Sequence, residues 1–318
     1  MSFLSSLVPI NLNEEKEKFF ADTNYNPQFI YKEKIDQNKL NKFKIPKKNY
    51  LDLAEHIVKK AYFGKTDSDL NSLKGPKVTQ KNVESAINTF LKMHKLDKDL
   101  KLILSASFAA RTSINTKNIK LRLPTEFRKE DLVGMLYHEI GTHAIRYVNY
   151  VQQPWFKKKK KYGFGDYLLT EEGLASIHAL IPKSYKSAYT PALVYMAATK
   201  AQNASFSQTY EMLNKYLQDP EKCWRTTYRQ KRGLEDTSKP GGYAKDLVYF
   251  QGINEVYSWL KKNDFDISKL YFGKMALEDV DKAINLNPNF KPLLPSFFSL
   301  SKENYKKEIL KIGEFNEL

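Results

Sequence analysis

Cysteine is almost absent from this chain, which has a single cysteine, Cys223, among 318 residues. One cysteine excludes an intramolecular disulfide, and no zinc-finger pattern of cysteines is possible. Because cytosolic proteins rarely use disulfides, this composition favours a cytoplasmic protein.

Long apolar runs are also missing. No stretch approaches the roughly 18 residues that a membrane span needs, and the mean hydropathy is −0.57. The first twenty residues, MSFLSSLVPINLNEEKEKFF, have no basic leader, so we expect no signal peptide. The hydrophobic content of 42% nevertheless predicts a folded core rather than a disordered chain.

Acidic residues are the minority among the charged residues, 36 against 52 basic ones, which leaves a net charge of +16. Such a charge favours acidic partners: nucleic acid, an anionic membrane or an acidic protein tail. There is no helix-turn-helix pattern and no RNA-binding signature, so we do not expect a nucleic-acid partner. The densest basic run, Lys157–Lys161, fits either a solvated loop or a partner-binding segment.

The hydrophobic pattern predicts an α+β fold that is mostly helical. Helical spacing of apolar residues predicts helices near 12–21, 49–64 and 78–95, the last capped by Thr79. KLILSAS at 101–107 and NIKLRL at 118–123 are typical of strands, and RTSINTKN between them could form a hairpin. There are no repeats and no flexible linker. We expect an N-terminal arm over 1–45, one catalytic domain over 46–318, and a monomer.

The stretch YHEIGTH at 137–143 places two histidines around a glutamate, but with unusual spacing. In the H-E-x-x-H zinc motif the histidines are four residues apart, whereas His138 and His143 are five apart. At about 100° per residue, five steps of an α-helix separate two side chains by about 140°. A π-bulge would absorb the extra residue, and Gly141 tolerates the distortion. We therefore predict a π-bulge or kink near Ile140–Thr142 in a helix over 131–147.

A metal site built on these histidines needs a third ligand and a base. Glu139 follows His138 directly and so points off the ligand face, where it could contact a water on the metal. A set of two histidines and one glutamate is known for catalytic zinc.

The third ligand is expected from the following helix, in TEEGLAS, for which Thr170 is the predicted N-cap. Glu172 is the first candidate for the ligand, and Glu171 is the competing carboxylate. Gly173 and Ala175 would let this helix pack closely.

The chain at this point resembles a known family. HEIGTHAIRYVNYVQQPW, TEEGLAS and KRGLEDTSKPGGYAKDLVY, found in this order, resemble the tyrosine carboxypeptidase family of metalloproteases over roughly residues 50–300. Its animal members remove the C-terminal tyrosine of α-tubulin, and its bacterial relatives carry a Q-E-G-L-A motif.

The resemblance implies a zincin-like metalloprotease in which a small sheet precedes the distorted helix. It implies one zinc ion bound by His138, His143 and Glu172, with Glu139 as the catalytic base. The chain departs from the bacterial motif at Glu171, where glutamine is usual. It also departs at Lys157–Lys161, where the family has a more apolar stretch.

A carboxypeptidase must hold the terminal carboxylate of its substrate, which calls for a cation and preferably a bidentate arginine. The candidates are Arg111, Arg122, Arg229, Lys231 and Arg232, with Arg111 in AARTS as the first choice. Each of them could equally be ordinary surface charge. Tyr243, after two glycines, is a candidate for stacking on a substrate aromatic ring, and it equally fits a simple turn.

The predicted function is a zinc metallocarboxypeptidase that removes a C-terminal aromatic residue, tyrosine as in α-tubulin detyrosination, from acidic tails. One alternative is a carboxypeptidase that acts on other peptides. Another is a non-catalytic regulatory protein whose zinc is structural, which predicts a closed site with four ligands. A third is a nucleic-acid or membrane binder that uses Lys157–Lys161.

Overall fold

The computed structural model describes residues 3–43, 50–108 and 111–318. Two compact units account for the chain: the first contains residues 1–71 and 188–251, and the second contains residues 72–187 and 252–318. Each unit therefore combines two segments that are distant in sequence. The predicted helix start at Asn49 lies outside the described residues.

Helices make up most of the described chain. The α-helices are Phe3–Ser6, Leu12–Ala21, Gln37–Leu40, Leu51–Tyr62, Asp67–Ser72, Gln80–Met93, Lys129–Met135, Ile145–Val151, Leu168–Leu180, Tyr189–Ala201, Phe206–Leu217, Pro220–Lys231, Leu247–Lys262, Val280–Leu286, Ser296–Ser299 and Lys302–Asn316. Short 3₁₀-helices span Asn41–Phe43, Ser268–Tyr271 and Leu277–Asp279. Thr79 caps its helix as predicted, since its side chain accepts a hydrogen bond from the backbone N–H of Asn82 at 3.3 Å.

The N-terminal segment predicted as an arm contributes to the core of the first unit. Phe19, on the predicted helix near 12–21, is fully buried. Its ring packs against Phe206, Tyr210 and Trp224, with centroids 4.8 to 5.2 Å apart. Aromatic pairs at such distances stabilise a core beyond their buried area. The boundary at residue 45 remains a prediction.

The strands belong to the second unit. They are β1, Lys77–Val78; β2, Lys101–Ser105; β3, Thr112–Ile114; β4, Asn118–Arg122; and β5, Phe127–Arg128. β1 pairs with β5, and the other three form a sheet in the order β2-β4-β3.

The three-stranded sheet is mixed. The two strands predicted from sequence, β2 and β4, run parallel, so the segment between them does not turn β2 back onto β4 as a hairpin. The hairpin instead joins β3 to β4, with Thr112 opposite Leu121. Ile119 and Leu121 on β4 are fully buried, which fixes the face that β4 turns to the core.

One continuous helical segment carries both histidines, and we call it the histidine helix. It consists of Lys129–Met135 in α conformation, Leu136–Ala144 in π conformation and Ile145–Val151 in α conformation again. The predicted π distortion is therefore confirmed, although it covers more residues than a single bulge. β3 packs against the π stretch, which places the sheet beside the histidines.

These elements confirm the predicted α+β, mostly helical class, with a small sheet ahead of the histidine helix. Within residues 3–43, 50–108 and 111–318, no helix combines the length and the apolar character that crossing a membrane requires.

Candidate metal centre

The π conformation brings the two histidine rings together. The Nε2 atoms of His138 and His143 lie 3.1 Å apart, and the ring planes meet at 82°. A π turn closes between residues five apart, so the spacing that separates two side chains on an α-helix aligns them here. Both imidazoles can thus direct a nitrogen at one point.

Glu172 reaches the same point from the helix Leu168–Leu180, which we call the glutamate helix. Its Oε2 atom lies 3.8 Å from His138 Nε2 and 3.6 Å from His143 Nε2. The helix begins three residues earlier than it would with Thr170 as its N-cap, and Tyr167 is at the N-cap position, so that prediction is wrong. Thr170 instead accepts a hydrogen bond from the backbone N–H of Leu277, at 3.1 Å.

The separations of the three atoms come within a few tenths of an ångström of those around a tetrahedral zinc ion. Zinc bonds of about 2.0–2.2 Å at tetrahedral angles place ligand atoms about 3.3–3.5 Å apart. The observed separations are 3.1, 3.6 and 3.8 Å. In the described part of the chain, these three residues form the one group able to hold a metal ion. Two imidazoles and a carboxylate therefore fit the implied metal in both geometry and ligand type.

Glu171, the other carboxylate considered as the third ligand, lies on the opposite side of the His143 ring. Its Oε1 atom lies 2.8 Å from Nδ1 of His143, the ring nitrogen that faces away from Glu172. A carboxylate in this position accepts the Nδ1 hydrogen and leaves Nε2 free as a ligand. Of the two adjacent glutamates, one is thus placed to contact a metal and the other orients the histidine.

Two cations neutralise Glu171. Arg146 donates to Glu171 Oε2 and is itself fully buried, with further hydrogen bonds to the carbonyls of Leu270 and Met275. Lys274 Nζ lies 2.8 Å from Glu171 Oε1. Burial alone would raise the pKa of Glu171, but Lys274, Arg146 and His143 together hold it well below its usual range.

The histidines respond to these surroundings in opposite ways. Burial and the neighbouring His143 lower the pKa of His138, which keeps it neutral as a ligand must be. Burial would also lower the pKa of His143, but the hydrogen bond with Glu171 and the nearby carboxylate of Glu172 raise it to about 10. Metal binding at this point must therefore displace a proton from His143.

Glu139 lies beside the group without belonging to it. Its side chain is half-buried, and among the described residues it has neither a hydrogen bond nor an ion pair. It acts electrostatically on Arg111, whose pKa it raises against a larger lowering by burial. Glu139 is thus close enough to His138 to act on it electrostatically, while its carboxylate has no hydrogen-bond or ion-pair partner in the described part of the chain.

Arg111 and Arg122, two of the candidates for binding the substrate carboxylate, are paired across neighbouring segments of the three-stranded sheet. The backbone N–H of Arg122 donates to the carbonyl of Arg111 at 2.9 Å, which continues the pairing of β3 with β4. Directly paired residues on antiparallel strands project to the same face. Arg111 keeps an exposed surface, but protein atoms surround its guanidinium closely enough to lower its pKa, and the guanidinium lies 4.5 Å from the ring centre of Phe127. The nearby positive charge of Arg122 adds to the lowering of the Arg111 pKa by burial, as expected of like charges on directly paired residues.

The remaining candidates lie in the first unit and already have partners there. Arg229 forms a two-pronged ion pair with Asp246, at 2.5 and 2.6 Å. Lys231 is fully buried, and its Nζ donates to the carbonyls of Ala204 and Lys239 at 2.7 and 2.6 Å. Both charged groups therefore already have partners within the protein. A substrate role for either residue remains a prediction.

Arg232 and Tyr243 are associated with each other. The Arg232 guanidinium lies 5.3 Å from the ring centre of Tyr243. The tyrosine itself is buried, in a cluster with Leu7, Ile35 and Leu40. Stacking of Tyr243 on a substrate also remains a prediction.

The lysine run Lys157–Lys161 is not uniformly solvated. Four of its residues are exposed, whereas Lys159 is half-buried with its Nζ 3.3 Å from the ring centre of Tyr167. Burial lowers the pKa of Lys159 to about 7. The run therefore combines exposed charges with one ammonium that faces an aromatic ring.

Close packing of the glutamate helix depends on Gly173, as predicted. A Cβ at this position would lie 2.3 Å from the carbonyl carbon of Gly252 and 2.4 Å from its oxygen. We expect Gly173→Ala to lower stability by about 1–3 kcal/mol, because backbone on both sides must move. Thermal denaturation measures this effect.

Gly165→Ala is the matched control for Gly173→Ala. Its added Cβ meets only ordinary contact, 3.6 Å from Asp279 Oδ2. Equal thermal midpoints for the two variants would show that the helix tolerates displacement next to Glu172.

Arg146 and Lys274 were not among the site residues predicted from the sequence. Arg146 follows His143 by three residues, a spacing that places two helical residues on one side, so it could have been considered. No sequence pattern connects Lys274 with the site, because only the fold brings its side chain to Glu171.

Comparisons with known proteins complete the description of the site. Residues 25–289 match the family model described as microtubule-associated tyrosine carboxypeptidase. The chain is 31% identical over 323 residues to microtubule-associated tyrosine carboxypeptidase 1 of Rattus norvegicus, covering 99% of this chain and 69% of that protein. It is 32% identical over 286 residues to the Homo sapiens protein of the same name, covering 87% of this chain and 60% of that protein. The match thus spans about two thirds of these relatives' length.

Proposed function

Since the chain belongs to the microtubule-associated tyrosine carboxypeptidase family, we propose that it is a zinc-dependent carboxypeptidase that removes a C-terminal tyrosine from an acidic polypeptide tail. The observation that carries this proposal is the convergence of His138, His143 and Glu172 across a π turn, with Glu139 beside them. These four residues correspond to the ligands and the base that the motif resemblance implied.

The composition of the group favours a catalytic site over a structural one. Structural zinc sites are closed by four protein ligands, whereas catalytic sites use three and leave one position open. Among the described residues the group contains three. A general base beside the open position, the role that we propose for Glu139, has a use in catalysis and none in a structural site.

Each residue of the centre then has a role in hydrolysis. A zinc ion held by the three ligands would polarise the scissile carbonyl and acidify the attacking water. Glu139 accepts the proton of that water and delivers it to the leaving amine. Glu171 keeps His143 in the tautomer that presents Nε2, and Arg146 with Lys274 keeps Glu171 ionised.

Arg111 and Arg122 are the proposed holders of the substrate's terminal carboxylate. They are on the sheet that packs against the π stretch, and Arg111 is within electrostatic range of Glu139. An arginine binds a carboxylate with two parallel hydrogen bonds, which also orients it. This placement would leave the last peptide bond of the substrate near Glu139.

The net charge of +16 supports an acidic substrate tail. Opposite charges steer two macromolecules together and raise the rate of encounter. The relatives carry microtubule association in their names, so we propose tubulin as the partner and the cytoplasm as the location.

Incubation with peptides that carry acidic tails tests the proposal. Paired peptides ending in tyrosine, phenylalanine or alanine would be digested, and mass spectrometry would identify the residue released. We expect single-residue release with tyrosine preferred, together with one zinc per chain. No cleavage of any peptide, combined with unfolding when zinc is chelated, would favour the regulatory protein with structural zinc.

A further inference from the structure

A buried row of side chains adjoins the π stretch of the histidine helix. Thr142 Oγ1 lies 2.9 Å from the carbonyl oxygen of Tyr137 and 2.8 Å from Nδ1 of His178. His178 Nε2 lies 3.0 Å from the hydroxyl of Tyr305. Thr142 and His178 are fully buried, and Tyr305 is 1% exposed. The row therefore connects the histidine helix to the last helix of the chain without water access.

The backbone carbonyl of Tyr137, at one end of the row, determines which group donates and which accepts in each hydrogen bond of the row. The carbonyl of Tyr137 can only accept, so the single hydroxyl hydrogen of Thr142 points at it. Thr142 Oγ1 must then accept from His178, which places the His178 hydrogen on Nδ1. Nε2 is left to accept from Tyr305.

Burial supports the neutral forms that this direction requires. It lowers the pKa of His178 well below its usual range and raises the pKa of Tyr305 well above its usual range. A neutral imidazole donates through one nitrogen and accepts through the other, as the geometry demands.

The row is attached to the turn that separates the two histidine ligands. Tyr137 precedes His138, and Thr142 precedes His143, so the Thr142–Tyr137 hydrogen bond spans that turn. Tyr271 also contacts this turn, since its hydroxyl donates a hydrogen bond to the carbonyl of Gly141 at 2.6 Å. If the turn returned to α-helical geometry, five residues would again place the two rings about 140° apart.

We propose that Thr142, His178 and Tyr305 are positioning residues that hold the turn between His138 and His143 at the width at which both imidazoles reach one metal ion. The inference rests on the proposed metal site, and it assigns a function to His178, which lies six residues after Glu172 on the glutamate helix. None of the three residues needs to contact substrate.

Two substitutions of Thr142 test the proposal. Thr142→Val keeps the shape of the side chain but removes the hydroxyl, so the Nδ1 hydrogen of His178 loses its acceptor. Thr142→Ser keeps the hydroxyl and is the matched control. We expect zinc affinity, measured by competition with a chelator, to fall about 10–100-fold in Thr142→Val. Thr142→Ser should stay within a few-fold of the wild type.

Two further measurements separate positioning from general structural damage. In peptide hydrolysis, Thr142→Val should lower kcat with KM nearly unchanged, because no substrate contact is lost. In the zinc-free protein, amide hydrogen exchange over residues 137–143 should accelerate in Thr142→Val and not in Thr142→Ser. The exchange result does not depend on whether zinc binds.

Tyr305→Phe provides a second route if Thr142→Val fails to fold. It removes one hydroxyl at the far end of the row and should weaken zinc binding less than Thr142→Val does. In the double variant the row is already interrupted, so the two effects should not add. Wild-type zinc affinity and wild-type exchange in either single variant would overturn the inference. A wild-type protein that binds no zinc would instead overturn the proposed function.

Discussion

Glu139→Gln is expected to abolish most peptide hydrolysis while zinc remains bound at one ion per chain. Glutamine keeps the size of the side chain but cannot accept the proton of the attacking water, and general-base catalysis is typically worth about 10²–10⁴-fold in rate. We therefore expect kcat to fall by roughly that factor with zinc content unchanged. Release of tyrosine from an acidic-tail peptide measures the first quantity, and metal analysis of the purified protein measures the second.

Glu84→Gln is a suitable control for this substitution. Glu84 is also half-buried and helical, on Gln80–Met93, but it does not belong to the group of His138, His143 and Glu172. It should hydrolyse peptide at the wild-type rate. Cleavage by Glu139→Gln at that same rate would exclude Glu139 as the base. Loss of zinc from Glu139→Gln would indicate instead that it contributes to metal binding.

Arg146→Met is expected to give the largest loss of stability. Its guanidinium is fully buried and joins Glu171 to the carbonyls of Leu270 and Met275. Removing one partner of a buried ion pair typically costs about 3–5 kcal/mol, because the remaining charge has lost its compensation. The thermal midpoint should fall on the order of 10 °C, and differential scanning calorimetry measures this shift.

Two variants show whether the buried charge causes that loss. Lys306→Met removes an exposed pair with Asp264, and such pairs are worth less than about 1 kcal/mol. The double variant Arg146→Met with Glu171→Gln should recover part of the stability, because no uncompensated carboxylate remains. If Arg146→Met and Lys306→Met lower the midpoint equally, the charge cluster does not hold the centre together.

Local patterns in the sequence were sufficient to predict that His138, His143 and Glu172 come together in a candidate metal centre. Two histidines five residues apart, with Gly141 between them, require a distortion if they are to meet, and the π stretch Leu136–Ala144 provides it. Glu172 was predicted as a ligand because it opens the next helix, and Gly173 was predicted to allow close packing. Periodicity and helix caps also predicted the helix Gln80–Met93 with its cap at Thr79.

Pairings between distant segments could not be predicted in this way. The parallel pairing of β2 and β4 depends on how the chain crosses between them, and strand patterns do not encode direction. The basic segment around Lys231 was open to a substrate role. The fold directs Lys231 at backbone carbonyls and Arg229 at Asp246.

The sequence by itself determined which residues can form the candidate metal centre, because their spacing along two helices sets the directions in which they project. Only the tertiary structure decided that Glu171 hydrogen-bonds to His143 while Glu172 joins the candidate metal ligands. This difference depends on Arg146 and Lys274, which neutralise Glu171 from 25 and 103 residues away. It also decided the role of His178, because the partners of a buried side chain are set by packing rather than by its neighbours in the chain.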